Sequence, residues 1–499
     1  MSDSRSGRFR DPVTGRSRDP VTGRFPEEGP PRVLAVADSD SYLKWAAGML
    51  DSLPAPWSRR LLVLRSPITP SPAQRAAATA GSLNGNALSV VPMTEVLREV
   101  DRSRADVVLL ACTGPVVDAL AWSIRRPWPG LGRRQRRVVL VSGLPGLSIP
   151  PTPAAWLYRS QADLFVVHSR RELVEFGQLG TALGASGQVA LSHLPFLGLS
   201  DPAPRPARDP RAGGRVLFAA QAKVPRDVES RRRILRALDR LARERPDLLP
   251  VVKVRARAGE QQTHRERHRY ESLWAALVAA GEVSDGAVVF EDGPMGRHLE
   301  DAAALVTVSS TAALEAMAAG VPVLILSDFG VDEAMLNLVF TGSGCFGTLD
   351  DLVAGSFHQP DPAWLEDNYF HPTGEQDWVR QTRQLVGRAR SGDLPDQPPL
   401  LTSPTDLRRR RRARWRLTLP PPILQARLAA LRVSRRSRRR LRRALGLPVA
   451  GRHRRPVQVA ATPDYALAPA TEARADDLYA VAGVAAADIP AEAALDPQY

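Results

Sequence analysis

Cysteine is scarce in this chain of 499 residues, with only Cys112 and Cys345 present. Two cysteines in apolar or glycine-rich surroundings exclude a disulfide framework and a cysteine-ligated metal site. We expect both to be packing residues in a reducing compartment. A secretory signal is also missing, because Met1–Arg24 is polar and has no apolar core. These absences favour a cytoplasmic protein.

The chain also lacks a long uninterrupted apolar run, and one of its segments lacks acidic residues. The longest apolar run, Val107–Ile124, is interrupted by Gly114, Pro115 and Asp118, a pattern more typical of a strand, a turn and a helix than of a membrane span. No acidic residue occurs between positions 408 and 455, where arginine is abundant. The formal net charge of +15 is therefore carried by this segment, and the rest of the chain is close to neutral.

What the chain does contain is a regular alternation of short apolar runs with helical stretches. Such runs, rich in β-branched residues, predict parallel sheets covered by helices on both faces. A Pro-, Arg- and Gly-rich stretch divides the alternation into two α/β domains. The expected organisation is a disordered segment (1–31), a first Rossmann-like domain that holds the acceptor (32–200), a linker (201–214), a second Rossmann-like domain (215–390), a Pro/Arg-rich basic segment (391–456) and a disordered, Ala-rich acidic tail (457–499).

The most informative stretch is Ala304–Asp328, which predicts a strand, a tight turn, a helix and a second strand. Ser309, Ser310 and Thr311 lie where the first strand ends and the helix begins. Hydroxyl groups beside the unpaired N–H groups and partial positive charge of a helix N-terminus favour a phosphate group. The alternative is that Ser310 is an ordinary N-cap.

The residues after this turn carry a resemblance to a known class of enzymes. Glu315 with AMAAGVPV at 316–323 closely resembles the donor-binding segment of GT-B glycosyltransferases. In that fold, Ser and Thr residues hold the phosphate of a sugar nucleotide, and a helical glutamate contacts the ribose. The resemblance implies that Ser309, Ser310 and Thr311 face phosphate and that Glu315 faces the nucleoside. A solvated helical glutamate is the alternative.

Three further segments extend the resemblance. FAAQAKVP at 218–225, VVKVRA at 251–256 and LNLVFTGSG after the donor segment are similar to an actinobacterial family of glycosyltransferases over about residues 32–388. That family is distantly similar to bacterial sialyl- and polysialyltransferases, which use CMP-activated sugars. Where those enzymes have His-Pro, this chain has Lys253-Val254-Arg255. Their acidic motif matches Glu291-Asp292-Gly293 by letters only, because here it falls in the second domain.

Several polar residues are candidates for the cleft between the domains. Gln221 and Lys223 end the first strand of the second domain, and Lys253 and Arg255 share one face of the next strand. We expect these cations to contact the donor phosphate, although a solvated lysine is as plausible for Lys223. Parallel sheets bind ligands beyond the carboxyl ends of their strands, and Asp38 and Asp40 follow the first strand of the first domain. Asp38 and Asp40 are the candidates for the catalytic base, because the acceptor domain should supply it.

Asp38 and Asp40 also spell the DxD pattern that binds a metal in another glycosyltransferase fold. After a first strand, a helix cap is the more ordinary role. We therefore expect no metal and no cofactor other than the nucleotide-sugar substrate, because lysine and arginine can supply the positive charge.

The basic segment permits three interpretations. Leucines recur near helical spacing among its arginines, at positions 424, 428, 431, 441 and 445. A basic amphipathic helix of this kind can lie on an anionic membrane, and clustered arginine can equally bind nucleic acid. A solvated, partly disordered extension is the third interpretation.

The sequence as a whole predicts a GT-B glycosyltransferase in the cytoplasm or at the inner face of the plasma membrane. It would transfer a sugar from a nucleotide-activated donor, with CMP as a candidate nucleotide, to a cell-envelope glycan or lipid-linked acceptor. A non-hydrolysing sugar-nucleotide epimerase uses the same two-domain fold. The other alternative is a binding protein with a basic tail and no catalysis. A chain ending near Arg390 is expected to fold and to bind nucleotide.

Overall fold

The computed structural model describes residues 29–85, 88–126, 137–198, 213–254, 268–419, 422–427 and 430. Within these ranges the chain forms two parallel sheets, and helices alternate with the strands of each sheet along the chain. The fold class predicted from the sequence, two Rossmann-like domains of the GT-B type, is confirmed. Most of the N-terminal segment, most of the linker and the acidic tail lie outside the described residues, as does Arg255.

The first sheet has seven strands in the order β3-β2-β1-β4-β5-β6-β7, and all neighbouring strands are parallel. Its strands are β1 (Arg32–Ala37), β2 (Ser58–Leu64), β3 (Ser89–Val91), β4 (Val107–Ala111), β5 (Val139–Gly143), β6 (Leu164–Val167) and β7 (Gln188–Leu191). The helices between them are α1 (Asp40–Asp51), α2 (Pro72–Ala78), α3 (Met93–Arg102), α4 (Gly114–Arg125), α5 (Pro153–Leu157) and α6 (Arg170–Ala182), and a 3-10 turn follows at Pro195–Leu197.

The second sheet has six parallel strands in the order β10-β9-β8-β11-β12-β13. Its strands are β8 (Gly214–Ala219), β9 (Leu248–Lys253), β10 (Val289–Glu291), β11 (Ala302–Thr307), β12 (Val323–Leu326) and β13 (Phe346–Gly347). The helices are α7 (Val228–Glu244), α8 (Tyr270–Ala279), α9 (Met295–Leu299), α10 (Ala312–Ala318), α11 (Leu349–Ala354) and α12 (Pro362–Asp367), with 3-10 turns at Leu338–Phe340 and Thr373–Glu375.

Strand β1 shows why its sequence is apolar without alternation. Val33 and Ala35 pack into one core with α1, whereas Leu34 and Val36 pack into another core with α3 and α4. Both faces of the sheet are therefore buried, as expected for a parallel sheet between two helix layers.

The chain returns to the first sheet after completing the second. Helix α13 (Trp378–Ser391) places Trp378, Leu385 and Val386 in the core that contains α1. The Asp377 carboxylate accepts a hydrogen bond of 2.9 Å from the backbone N–H of Leu191 at the end of β7. Residues 378–390 were expected in the second domain, but they pack on the first, because their apolar stripe completes that core.

The first part of the basic segment is also packed rather than separate. Helix α14 (Pro404–Thr418) lies against α4, and its Leu417 joins the core of α3 and α4. Arg410 donates two hydrogen bonds of 2.7 Å to the carboxylate of Asp118, and both side chains are buried. The expectation that a chain ending near Arg390 folds stays a prediction, and such a chain would lack both the cation paired with Asp118 and the Leu417 side chain of this core.

No helix in the described part of the chain is both long enough and apolar enough to cross a membrane.

Candidate functional site

Ser309 is held in place by Gln221. The backbone N–H of Ser309 donates to Gln221 Oε1 at 2.8 Å, and Gln221 Nε2 donates to Ser309 Oγ at 3.0 Å. Ser309 is 6% exposed. These contacts tie the turn after β11 to the turn after β8. Gln221 and Ser309 therefore position the turn, and the more exposed hydroxyls are those of Ser310 and Thr311.

Ser310 and Thr311 immediately precede α10, the helix predicted from the sequence. Ser310 Oγ accepts a hydrogen bond of 3.2 Å from the N–H of Ala312, so Ser310 acts as a local cap. Thr311 is the N-cap residue, and its side chain makes no capping hydrogen bond. Both residues are half-buried. The Thr311 hydroxyl is thus not committed to capping its own helix.

Glu315 lies one turn further along α10 and is largely buried. Its side chain is 17% exposed, and Lys44 Nζ lies 3.8 Å from its Oε2. Burial raises the pKa of Glu315, and the positive charges of Lys44 and then Lys253 act against that rise. Glu315 is therefore not a solvated helical glutamate, and the structure brings Lys253 into its neighbourhood.

Lys44 was not singled out by the sequence. It belongs to α1 of the first domain, and its ammonium also lies 4.7 Å from the ring centroid of Phe196. The only sequence signal for it was a single cation in the otherwise apolar run Tyr42–Leu50. Its partners lie on distant segments, so no local pattern could have revealed them.

The other predicted cations have different environments. Lys253 ends β9 and is half-buried, beside Ala219 of β8 in the sheet register. Lys223 follows β8 and is exposed. The predicted pairing of Lys253 with Arg255 stays a prediction, because Arg255 lies outside the described residues.

The two candidate bases, Asp38 and Asp40, differ sharply in burial. Asp38 is 0% exposed, and its Oδ2 accepts hydrogen bonds from the Thr113 N–H at 3.0 Å and the Thr113 hydroxyl at 2.6 Å. Burial raises the pKa of Asp38 to about 6, although the Thr113 hydrogen bonds and the Arg159 charge act in the opposite direction. Asp40, the first residue of α1, is half-buried. Asp38 thus ties β1 to β4, and Asp40 is the accessible carboxylate.

A buried network links the first domain to the segment after α12. Glu172 is wholly buried and accepts hydrogen bonds from the Tyr369 hydroxyl at 2.7 Å and the His168 N–H at 2.8 Å. Burial raises the pKa of Glu172 to about 7, with these hydrogen bonds acting against it. Nothing in the sequence pointed to Glu172, since a glutamate in a helix is usually solvated.

His168 is the neutral partner in this network. Its Nε2 accepts a hydrogen bond of 2.8 Å from Trp45 Nε1, and its Nδ1 lies 2.9 Å from the Ser192 carbonyl oxygen. The tautomer with the proton on Nδ1 satisfies both contacts. Burial lowers the pKa of His168 to about 4, so the ring is uncharged at neutral pH.

The two domains touch at the beginning of α10. Gly146, in the loop after β5, lies so close that a Cβ atom there would come 3.1 Å from Thr311 Cγ2. Ile149 of the same loop packs into the core of the second domain. Hydroxyls, a carboxylate and two lysines therefore meet at the contact between the domains, an arrangement suited to a phosphorylated ligand.

In the described part of the chain, no group of three or more His, Cys, Asp or Glu side chains could hold a metal ion. The absence of a metal requirement stays a prediction.

Comparison with known proteins gives a family and a distant likeness of fold. A family model described as "Putative glycosyltransferase (DUF6716)" matches residues 33–385, which include both sheets. No curated protein matches the chain.

Three solved structures illustrate the likeness of fold. Staphylococcus aureus MnaA in complex with UDP is 10% identical, with a TM-score of 0.46 over 74% of this chain and 99% of that one. The UDP-GlcNAc 2-epimerase of Neisseria meningitidis, bound to UDP-GlcNAc, is 10% identical, with a TM-score of 0.44 over 71% and 99%. TcCGT1 in complex with UDP is 10% identical, with a TM-score of 0.40 over 77% and 98%.

Proposed function

Since the chain belongs to the DUF6716 family of glycosyltransferases, we propose that it transfers a sugar from a nucleotide-activated donor to an acceptor bound by the first domain. The supporting observation is the meeting of Thr311, Glu315, Lys253 and Lys44 at the domain contact. These groups offer a hydroxyl, a carboxylate and two cations to one ligand. A nucleotide has a phosphate for the cations and ribose hydroxyls for the carboxylate.

In the proposed reaction, the acceptor hydroxyl oxygen attacks the anomeric carbon of the donor sugar. The bond between that carbon and the phosphate oxygen breaks, and the phosphate keeps the electron pair. Fixed positive charge beside the phosphate favours this step, because it stabilises charge that develops in the transition state. We assign this stabilisation to Lys253 and the Thr311 hydroxyl and propose that no metal takes part.

The proton of the acceptor hydroxyl needs a base. We assign that role to Asp40, because it is accessible at the start of α1, whereas Asp38 is wholly buried against Thr113. Asp38 then has a structural role, because its hydrogen bonds with Thr113 join the end of β1 to the end of β4. Asp40→Asn should abolish sugar transfer and leave nucleotide binding unchanged. Retained transfer in this variant would exclude Asp40 as the base.

The finer features of the function come from the resemblance seen in the sequence. The likeness to actinobacterial enzymes and to sialyl- and polysialyltransferases suggests a CMP-linked donor and a cell-envelope glycan as acceptor. The experiment is to incubate the full chain with CMP-, UDP-, GDP- and TDP-sugars, with and without cell-envelope glycans, and to measure free nucleotide. Release that depends on the acceptor supports a transferase, whereas conversion of the nucleotide sugar without acceptor supports the epimerase. No binding of any nucleotide would support the non-catalytic protein.

We propose an anionic membrane surface as the partner of α14, which would bring the enzyme to a lipid-linked acceptor. Arg408 and Arg411 are exposed on this helix, and Leu407 beside them is 46% exposed. Arginine beside exposed apolar side chains suits a lipid interface better than the grooves of a nucleic acid. The inner face of α14 is fixed to α4 by Arg410, so the surface has a fixed position on the acceptor domain.

A further inference from the structure

Lys44 reaches from α1 of the first domain to Glu315 on α10 of the second domain. Its ammonium lies 3.8 Å from Glu315 Oε2 of the second domain and 4.7 Å from the Phe196 ring centroid. The side chain is 45% exposed, so it has room to change its partner. Lysine has a flexible four-carbon stem and a compact charge, which makes such a change possible without backbone movement.

Glu315 is the anion that Lys44 faces. A carboxylate buried to this extent needs charged or hydrogen-bonding partners. Lys44 and Lys253 supply them from two different domains. Lys44 is paired with this carboxylate and the charge of Lys253 also acts on it, so positive charge from both domains is available to a further anion.

Helix geometry brings the Thr311 hydroxyl, a candidate phosphate ligand, close to Lys44. Thr311 has a helical backbone conformation, with φ −58° and ψ −17°, and Glu315 follows it by four residues. Residues four apart on a helix lie on the same face, with Cβ atoms about 5–6 Å apart. A lysine paired with Glu315 is therefore within one helical turn of the Thr311 hydroxyl.

We propose that Lys44 binds the phosphate of the donor nucleotide, and that donor binding replaces the Lys44–Glu315 ion pair with a Lys44–phosphate contact. The proposal rests on the proposed function, since it requires a nucleotide at this site. Glu315, released from Lys44, then accepts hydrogen bonds from hydroxyls of the nucleotide. Both domains would then hold the donor, and α1 would carry both Lys44 and Asp40.

The test compares a nucleotide with the nucleoside that lacks its phosphate. Lys44→Met keeps the apolar stem beside Phe196 and removes only the charge. Calorimetric titration of the full chain with CMP and cytidine, and with UDP and uridine, gives both affinities. We expect Lys44→Met to weaken binding of the nucleotide tenfold or more and to leave nucleoside binding unchanged. Lys44→Arg should restore most of the nucleotide affinity.

The matched control is Arg98→Met, which removes one positive charge from an exposed arginine of α3 that forms an ion pair with Glu95. It should leave both affinities unchanged. Tighter nucleotide binding in Lys44→Met would overturn the proposal, because Lys44 would then only compete for Glu315. Equal losses for nucleotide and nucleoside would make its role structural and also overturn it.

The proposal and the proposed function fail in different ways. If the wild-type chain binds nucleotide and Lys44→Met binds it equally well, Lys44 is not a phosphate ligand and the proposed function stands. If the wild-type chain binds no nucleotide, both are overturned.

Discussion

Replacing Arg410 should destabilise the first domain severely, although Arg410 lies in a segment that looks like a solvated basic tail. Its guanidinium makes two hydrogen bonds of 2.7 Å to the Asp118 carboxylate and one of 2.9 Å to the Leu401 carbonyl. The two side chains are only 3% and 5% exposed. Arg410→Met keeps much of the volume and leaves Asp118 as a buried charge without its cation.

Breaking a buried ion pair on one side costs about 3–5 kcal/mol, because the remaining charge is left in a medium of low polarity. Arg410→Met should lower the free energy of unfolding by that amount. Replacing both partners, with Asp118→Leu and Arg410→Met, should recover most of the loss, because no uncompensated charge remains. Arg408→Met is the control on the same helix, since Arg408 is exposed and should change stability little.

Urea unfolding of the full-length variants, followed by circular dichroism, gives these differences from the midpoints. The pH dependence of the stability of Arg410→Met supplies a second check. Burial raises the pKa of Asp118 and Arg410 lowers it, so loss of Arg410 should raise that pKa further. A carboxyl with a raised folded-state pKa regains stability as the pH falls, and the defect of Arg410→Met should shrink in acid. A loss below about 1 kcal/mol, or a double variant no better than the single one, would refute the reasoning.

Three other perturbations test separate parts of the account. Ser310→Ala with Thr311→Ala should weaken nucleotide binding in a calorimetric titration while costing only about 1 kcal/mol of stability, the usual loss for a helix cap; equal affinity would remove these residues from the site. Burial raises the pKa of Glu172 from its ordinary value of 4.5 to about 7, so the folded chain should lose stability as the pH rises through this interval. Glu172→Gln should remove that part of the pH dependence of the melting temperature. Identical pH profiles for the variant and the wild type would show that Glu172 is not titrating. Anionic vesicles should sediment less of the full chain as the salt concentration rises. The double variant Arg408→Glu, Arg411→Glu on α14 should bind the vesicles more weakly than the double variant Arg232→Glu, Arg240→Glu on α7. Equal vesicle binding by the two double variants, or a preference for RNA, would contradict the proposed membrane surface.

The architecture was predictable because buried parallel strands have a recognisable composition. The stretch Ala304–Asp328, predicted as a strand, a turn, a helix and a second strand, contains most of β11 and all of α10 and β12. The strands β7 and β13 were missed. β7 is short and partly exposed, and β13 has only two residues, so neither gives an apolar run long enough to detect.

Contacts between distant segments could not be predicted. Nothing local to Lys44 indicates Glu315, and nothing local to Asp118 indicates Arg410, because each pair is created when separate elements pack. The same reason explains the burial of Asp38: its sequence position at a strand end predicted a cleft residue, whereas Thr113 and the neighbouring strands enclose it. Composition likewise could not separate the packed helix α14 from the basic residues that follow it.

The central claim is that a nucleotide binds where α10 meets the first domain, and a thermal-shift screen of the full chain with CMP, UDP, GDP and TDP tests it most directly. One nucleotide, at a concentration 100-fold over its Kd, should stabilise the chain by about 2.7 kcal/mol. The shift should be lost in the variant that combines Ser310→Ala and Thr311→Ala. Melting temperatures unchanged by all four nucleotides, or an undiminished shift in the double variant, would contradict the claim.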